Sequence, residues 1–151
     1  MKKEVRLYNV LFPVWMLMTL PVIWWIVIPG NFLIDSQVLT MAMKVLKIEN
    51  RWAFYRAHII PVFLLGFTAD LLASAPMWLG MYLELGGPLA DSPVITVPGV
   101  LLAGVLIYGF DYAVSFRRLD NPLRRKLALI FAVATAPYTY LIPSGWLYGG
   151  F

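Results

Sequence analysis

The twelve Lys and Arg residues fall into three short clusters, separated by apolar stretches long enough to cross a bilayer and return. The clusters are Lys2, Lys3, Arg6; then Lys44, Lys47, Arg51, Arg56; then Arg117, Arg118, Arg124, Arg125, Lys126. Short loops on the cytoplasmic face carry the Lys/Arg excess of a membrane protein. A chain that keeps all three clusters on that face must leave it and come back between each pair. Helices are the elements that can do so here, because hydrocarbon cannot hydrogen-bond an open backbone. The expected fold class is all-α, a polytopic transmembrane helical bundle in a single integral membrane domain, 1–151.

Composition supports lipid as the solvent. Hydrophobic residues make up 61% of the chain and charged residues 13%, whereas roughly a quarter of a soluble domain is charged. A soluble domain of this length could not hide so many apolar side chains. The basic pI, about 9.5, is explained by loop topology and anionic headgroups rather than by nucleic acid, for which no binding motif is present. The chain has no cysteine, which removes disulfides, thiolate metal sites and thiol catalysis. No nucleotide loop, dinucleotide fingerprint or His-Glu metal motif is present, so no cofactor and no metal site are expected. The apolar run after Arg6 is too long for a signal core and is followed by no small-residue cleavage site, so it reads as an uncleaved span.

Apolar runs bounded by turn signals predict five spans, at 7–28, 31–46, 59–83, 99–116 and 127–142. Pro29-Gly30-Asn31 is read as the turn between the first two. The second is short and carries Asp35, Ser36, Gln37, Thr40 and Lys44, with Ser36, Thr40 and Lys44 on one polar face. It either crosses or lies flat as an amphipathic helix, which would leave four spans. Charge sorting favours crossing, because otherwise the second and third clusters would face outward. The segments 47–56 and 117–126 become cytoplasmic turns, and 84–98, without Lys or Arg, an outer loop. The expected location is the cell membrane, amino end in the cytoplasm and carboxyl end outside. Small residues four apart mark packing faces: Gly99 and Ala103, then Gly109 and Ala113, on the fourth span, and Ala128, Ala132 and Ala136 on the fifth.

Three carboxylates inside spans, Asp35, Asp70 and Asp111, are the candidate functional residues. A charged Asp at the centre of a span costs about 2.5–3.5 kcal/mol on insertion scales. From helical rise, Asp111 is expected about 7–8 Å from the cytoplasmic edge and Asp70 about 16–18 Å from it, with Asp35 about 6 Å from the outer edge. That is a staircase too widely stepped for direct hydrogen bonds. Gly66, Asp70 and Ser74 share a face of the third span, and Gly104, Tyr108, Asp111 and Ser115 share one of the fourth. Such surroundings suit a proton carrier or a Na⁺ ligand. Each Asp also has a structural explanation: Asp35 as a charge at a helix start, Asp111 as an ion-pair partner of Arg117 or Arg118, Asp70 as the counter-charge of a partner subunit. His58 is read as an interfacial anchor, since no second imidazole is available for a metal.

Three function classes follow. The first is an accessory or assembly subunit of a larger membrane complex, or a homo-oligomer. The second is a proton- or cation-coupled transport component using the buried aspartates; the chain is small for a complete carrier, and the only internal echo is Phe32-x-x-Asp35 with Phe67-x-x-Asp70. The third is an intramembrane aspartyl hydrolase pairing Asp70 with Asp111. Tyr108-Gly109-Phe110-Asp111 departs from the Gly-x-Gly-Asp signature of such enzymes, and the chain reads more as a non-enzyme, with no catalytic residue assigned.

Overall fold

The computed structural model describes residues 20–82 and 92–142, and every regular element among them is helical. The order is α1 (Trp24–Val45), α2 (Arg51–Ala73), α3 (Ala75–Tyr82), α4 (Pro93–Phe110), a π-helical turn (Asp111–Ser115), α5 (Asn121–Ala134) and a 3-10 turn (Tyr138–Leu141). Three stretches are long and apolar enough to cross a membrane: Trp24–Val45, Arg51–Leu79 and Pro93–Ser115.

Each crossing helix buries one stripe. Asp35, Leu39, Ala42 and Met43 face inward from α1; Ile59, Val62, Ala69, Asp70 and Ala73 from α2; Thr96, Gly99, Val100, Ala103 and Ile107 from α4. The spacings of three and four are those of one helix face. Between the stripes, Ile26, Leu33, Met41, Ile60, Leu64, Leu101 and Val105 are exposed. In water that outer apolar surface would drive association, so it is compatible with a lipid environment.

Five separate spans are not what the described residues form. Pro29-Gly30-Asn31 is no turn: α1 runs through it unbroken. Pro29 lies in the second turn of its helix, where its missing N–H forfeits a single backbone bond, and lipid penalises any wider opening of the backbone. The segment 31–46 is therefore the greater part of a helix long and apolar enough to cross a membrane, and 24–28 belongs to the same helix. Of the rest of the predicted first span, 20–23 forms a turn leading into α1, with Ile23 N–H donating to the Leu20 carbonyl, and 7–19 lies outside the described residues.

The expected cytoplasmic linker 47–56 is also largely helical, since α2 begins at Arg51. What remains is a tight reversal. Lys47 adopts φ 53°, its N–H donates to the Lys44 carbonyl, and Ile48 N–H donates to the Met43 carbonyl. These two bonds make a Schellman ending with Lys47 in the left-handed position that glycine usually takes. Of the expected outer loop 84–98, residues 93–98 are helix: α4 begins at Pro93 with Ser92 as its cap.

The predicted fifth span, 127–142, is broken. Helix α5 starts six residues early, at Asn121, and stops at Ala134. Its 14 residues reach about 21 Å, short of a hydrocarbon core of about 30 Å. Ala136 precedes Pro137, and a residue before proline is pushed out of the helical region. Thr135 closes the helix, its N–H and hydroxyl both donating to the Phe131 carbonyl.

Packing of the small residues divides in two. Gly99 and Ala103 are buried, and a Cβ on Gly99 would lie 2.3 Å from Met77 Cε. Ala128 is buried, and the carbonyl of Ala132 approaches within 3.5 Å of a Cβ built on Gly104. Ala136 is buried beyond the end of α5. Gly109 and Ala113, by contrast, face outward, with no heavy atom within 4 Å of a Cβ on Gly109. They form no seam within the described bundle.

The described basic residues gather at one end. The His58 ring of α2 lies 5.5 Å from the Phe116 ring that follows α4. That contact brings the reversal holding Lys44, Lys47, Arg51 and Arg56 beside the one holding Arg117, Arg118, Arg124, Arg125 and Lys126. His58 itself is packed, with Nδ1 2.8 Å from the Phe54 carbonyl oxygen and its ring stacked on Phe54.

Candidate functional site

Because α1 continues through Pro29, Asp35 stands near the middle of a 22-residue helix and not at a helix start. The separate outer step of the expected staircase disappears. Asp35 and Asp70 line the same cavity, of about 390 Å³, together with Asn31, Gly66, Thr135 and Thr139. Gly66 lies beside them: a Cβ there would sit 3.8 Å from Asp35 Oδ2, at ordinary contact distance. Both carboxylates are almost wholly buried, at 6% exposure, and Asp70 Oδ1 has no hydrogen-bond partner among the described residues.

The third wall is the broken end of α5. Residues Ala134 through Thr139 line the cavity, so the helix stops where the carboxylates are. A helix end carries partial negative charge on its free carbonyls, and irregular backbone at membrane depth is tolerated where it lines a cavity. Tyr140 ties this segment to α2, its hydroxyl donating to the Asp70 carbonyl at 3.0 Å. The described lining thus combines two carboxylates, the Asn31 amide, the hydroxyl-bearing Thr135, Tyr138 and Thr139 and a helix C-terminus, without a cationic side chain. Its chemistry is that of a site for a cation or a proton.

The remaining sequence candidates are placed elsewhere. Ser74 is buried, but its hydroxyl donates to the Leu71 carbonyl at 2.7 Å and helps end α2. Tyr108 stacks on Tyr112, with ring centroids 5.9 Å apart, and lines a separate apolar groove with Gly104, Ala132 and Tyr138. Asp111 is 2% exposed, and neither of its oxygens has a hydrogen-bond partner among the described residues. It therefore bonds neither to Arg117 or Arg118 nor to Asp70, and no hydrogen bond joins Asp35 to Asp70. The shared-proton geometry of an aspartyl dyad is absent from the described residues. Asp35 nevertheless lies within electrostatic range of both Asp70 and Asp111.

Thr135, Thr139 and Tyr140 were not among the sequence candidates. The signal that could have found them is Pro137, inside the last apolar run: a proline there marks a helix break at depth, and discontinuous helices build ion sites.

No protein-family model, curated protein or solved structure matches the chain. The reading of the site therefore stands on its own geometry.

Proposed function

We propose that this chain is a membrane-embedded cation-handling component that binds a proton or a small monovalent cation at the Asp35–Asp70 cavity, working within a homo-oligomer or a larger membrane complex. One observation carries the reading: two buried carboxylates from different helices face one cavity at the broken end of a third. Intramembrane carboxylates mark ion and proton pathways, and helix C-termini with unwound backbone supply oxygen ligands to cations. The described residues supply three helices long and apolar enough to cross and one short helix, few for a complete alternating-access carrier, which is why a further copy or partner belongs to the proposal. The basic end is assigned to the cytoplasm by its Lys/Arg excess.

Membrane vesicles carrying the full-length chain test this. Under an imposed pH or Na⁺ gradient, Asp70→Asn should abolish the flux that the wild-type chain supports. Flux that is unchanged in Asp70→Asn removes the residue, and the reading, from consideration.

The accessory-subunit reading is kept because of Gly109 and Ala113, which lie exposed on α4 and its π-helical turn. Small residues on a lipid-facing surface let another helix approach closely. Under this reading, a thiol-reactive crosslinker at Gly109→Cys, in a chain with no other cysteine, should join it to a second copy or a partner. Recovery of uncrosslinked monomer alone argues against it.

A further inference from the structure

One buried titratable group has no part in the cavity. Asp111 lies six residues, about 9 Å of helix, before Arg117, at the start of the π-helical turn. Both Asp111 carboxyl oxygens and Ser115 Oγ are buried without a hydrogen-bond partner among the described residues. A charged carboxyl with no cation beside it and only the Ser115 side chain in reach is among the most costly groups to bury, and proteins relieve it with a cation.

The surroundings restrict which cation. Essentially none of the surface of these three oxygens admits a water-sized sphere. A metal cation needs several oxygen ligands arranged around a space of its own. The turn supplies one carboxylate and one hydroxyl, and the described residues hold no cluster of three or more His, Asp or Glu that could bind a metal. A proton needs one lone pair and no volume.

The backbone adds a second, independent indication. Phe116 N–H donates to the Asp111 carbonyl at 2.9 Å, an i→i+5 bond. Single π-helical turns of this kind are rare and concentrate at functional sites. Here the widened turn directs Asp111 and Ser115 into the bundle together, at 2% and 7% exposure.

The titratable and charged groups that face the turn come from each neighbouring element. From α1 it is Asp35, within electrostatic range. From α2 it is His58, against Phe116. From α5 it is Arg124, whose guanidinium carbon lies 3.8 Å from the Tyr112 ring centroid and whose Nε donates to the Tyr112 carbonyl. Tyr108, on α4, stacks on that same Tyr112 ring.

We infer that Asp111, with Ser115 beside it, is a proton-binding station between the basic end and the Asp35–Asp70 cavity, so that the cation handled at this level is H⁺. The step is a reversible protonation. One carboxylate oxygen takes H⁺ to form an O–H bond, and releases it to a base on either side; no other bond changes. The inference rests on the cavity reading for the direction of the path but not for the chemistry at Asp111.

Infrared difference spectra of the full-length chain in phosphatidylcholine vesicles, recorded across pH, test it. The expected result is a protonated-carboxyl band that is lost in Asp111→Asn and unaffected by saturating Na⁺ or K⁺ at constant pH. Asp111→Glu and Ser115→Ala, which disturb packing least, should each shift that band, and Asp35→Asn should move its titration midpoint. A band that survives in Asp111→Asn, that neither milder variant moves, or that Na⁺ or K⁺ bleaches overturns the inference. The two claims separate cleanly. Flux indifferent to Asp35→Asn and Asp70→Asn sinks the cavity reading while leaving the Asp111 band in place.

Discussion

Gly66 lies where the face of α2 meets Asp35. It leaves the space over which Asp35 Oδ2 reaches the face of α2. Ala at this position meets that oxygen at ordinary contact distance, so Gly66→Ala should retain cation exchange. Gly66→Leu fills the space with a branched side chain and should reduce exchange at least about tenfold, which corresponds to about 1.4 kcal/mol, while circular dichroism stays unchanged. Equal exchange in the two variants would show that Asp35 does not depend on that opening. Gly99 and Gly109 make a second contrast. Gly99→Ala drives a methyl into Met77, which is fully buried, and overpacking of this kind costs about 1–3 kcal/mol. Gly109→Ala meets open space and should leave unfolding in detergent unchanged. The sequence showed both glycines at the same small-residue spacing. Spacing reports which residues share a face, not which face meets a neighbour, so it could not separate a buried seam from an outer surface. The three carboxylates, in contrast, were legible from their type and depth alone, because few forces retain Asp within an apolar span.

At the scale of elements, the two apolar runs at the chain's ends exchanged roles relative to their prolines. Pro29 reads as a turn signal but sits early in α1, where the helix tolerates it. Pro137 reads as part of a span but lies three residues beyond Ala134, where the helix has already ended. Local sequence looks alike in both places, and the difference arises from how far each proline lies from a helix end. Asp35 moved with that correction, from a helix start to mid-helix, and this is why a staircase became a shared cavity. The reversal after α1 yields its own prediction. Lys47 holds a left-handed conformation that costs a residue with a Cβ about 1–2 kcal/mol. Lys47→Gly should therefore raise stability toward unfolding by roughly 1 kcal/mol after the entropic cost of glycine is deducted. Unchanged or lowered stability would mean that the Lys47 side chain offsets the strain.

At the scale of the whole molecule, the described residues form a helical, membrane-like chain with three helices long and apolar enough to cross a membrane. Five spans are not what the described residues form, because α1 runs unbroken through the turn-forming residues Pro29-Gly30-Asn31. The orientation has a direct check. Single cysteines at Glu49 and Asp120 should react with a non-permeant thiol reagent from one compartment, the cytoplasmic one, and a cysteine at Tyr82 from the other. Reaction of Glu49→Cys and Asp120→Cys from opposite compartments would dismantle the topology.

The central claim is that Asp35 and Asp70 serve one site. A double-mutant cycle on cation exchange in vesicles, using Asp35→Asn, Asp70→Asn and the pair, measures this most directly. If the two carboxylates share a bound cation, each single substitution removes nearly all exchange and the double variant loses no more. Two partial losses that add, or no loss in either single variant, would contradict the account.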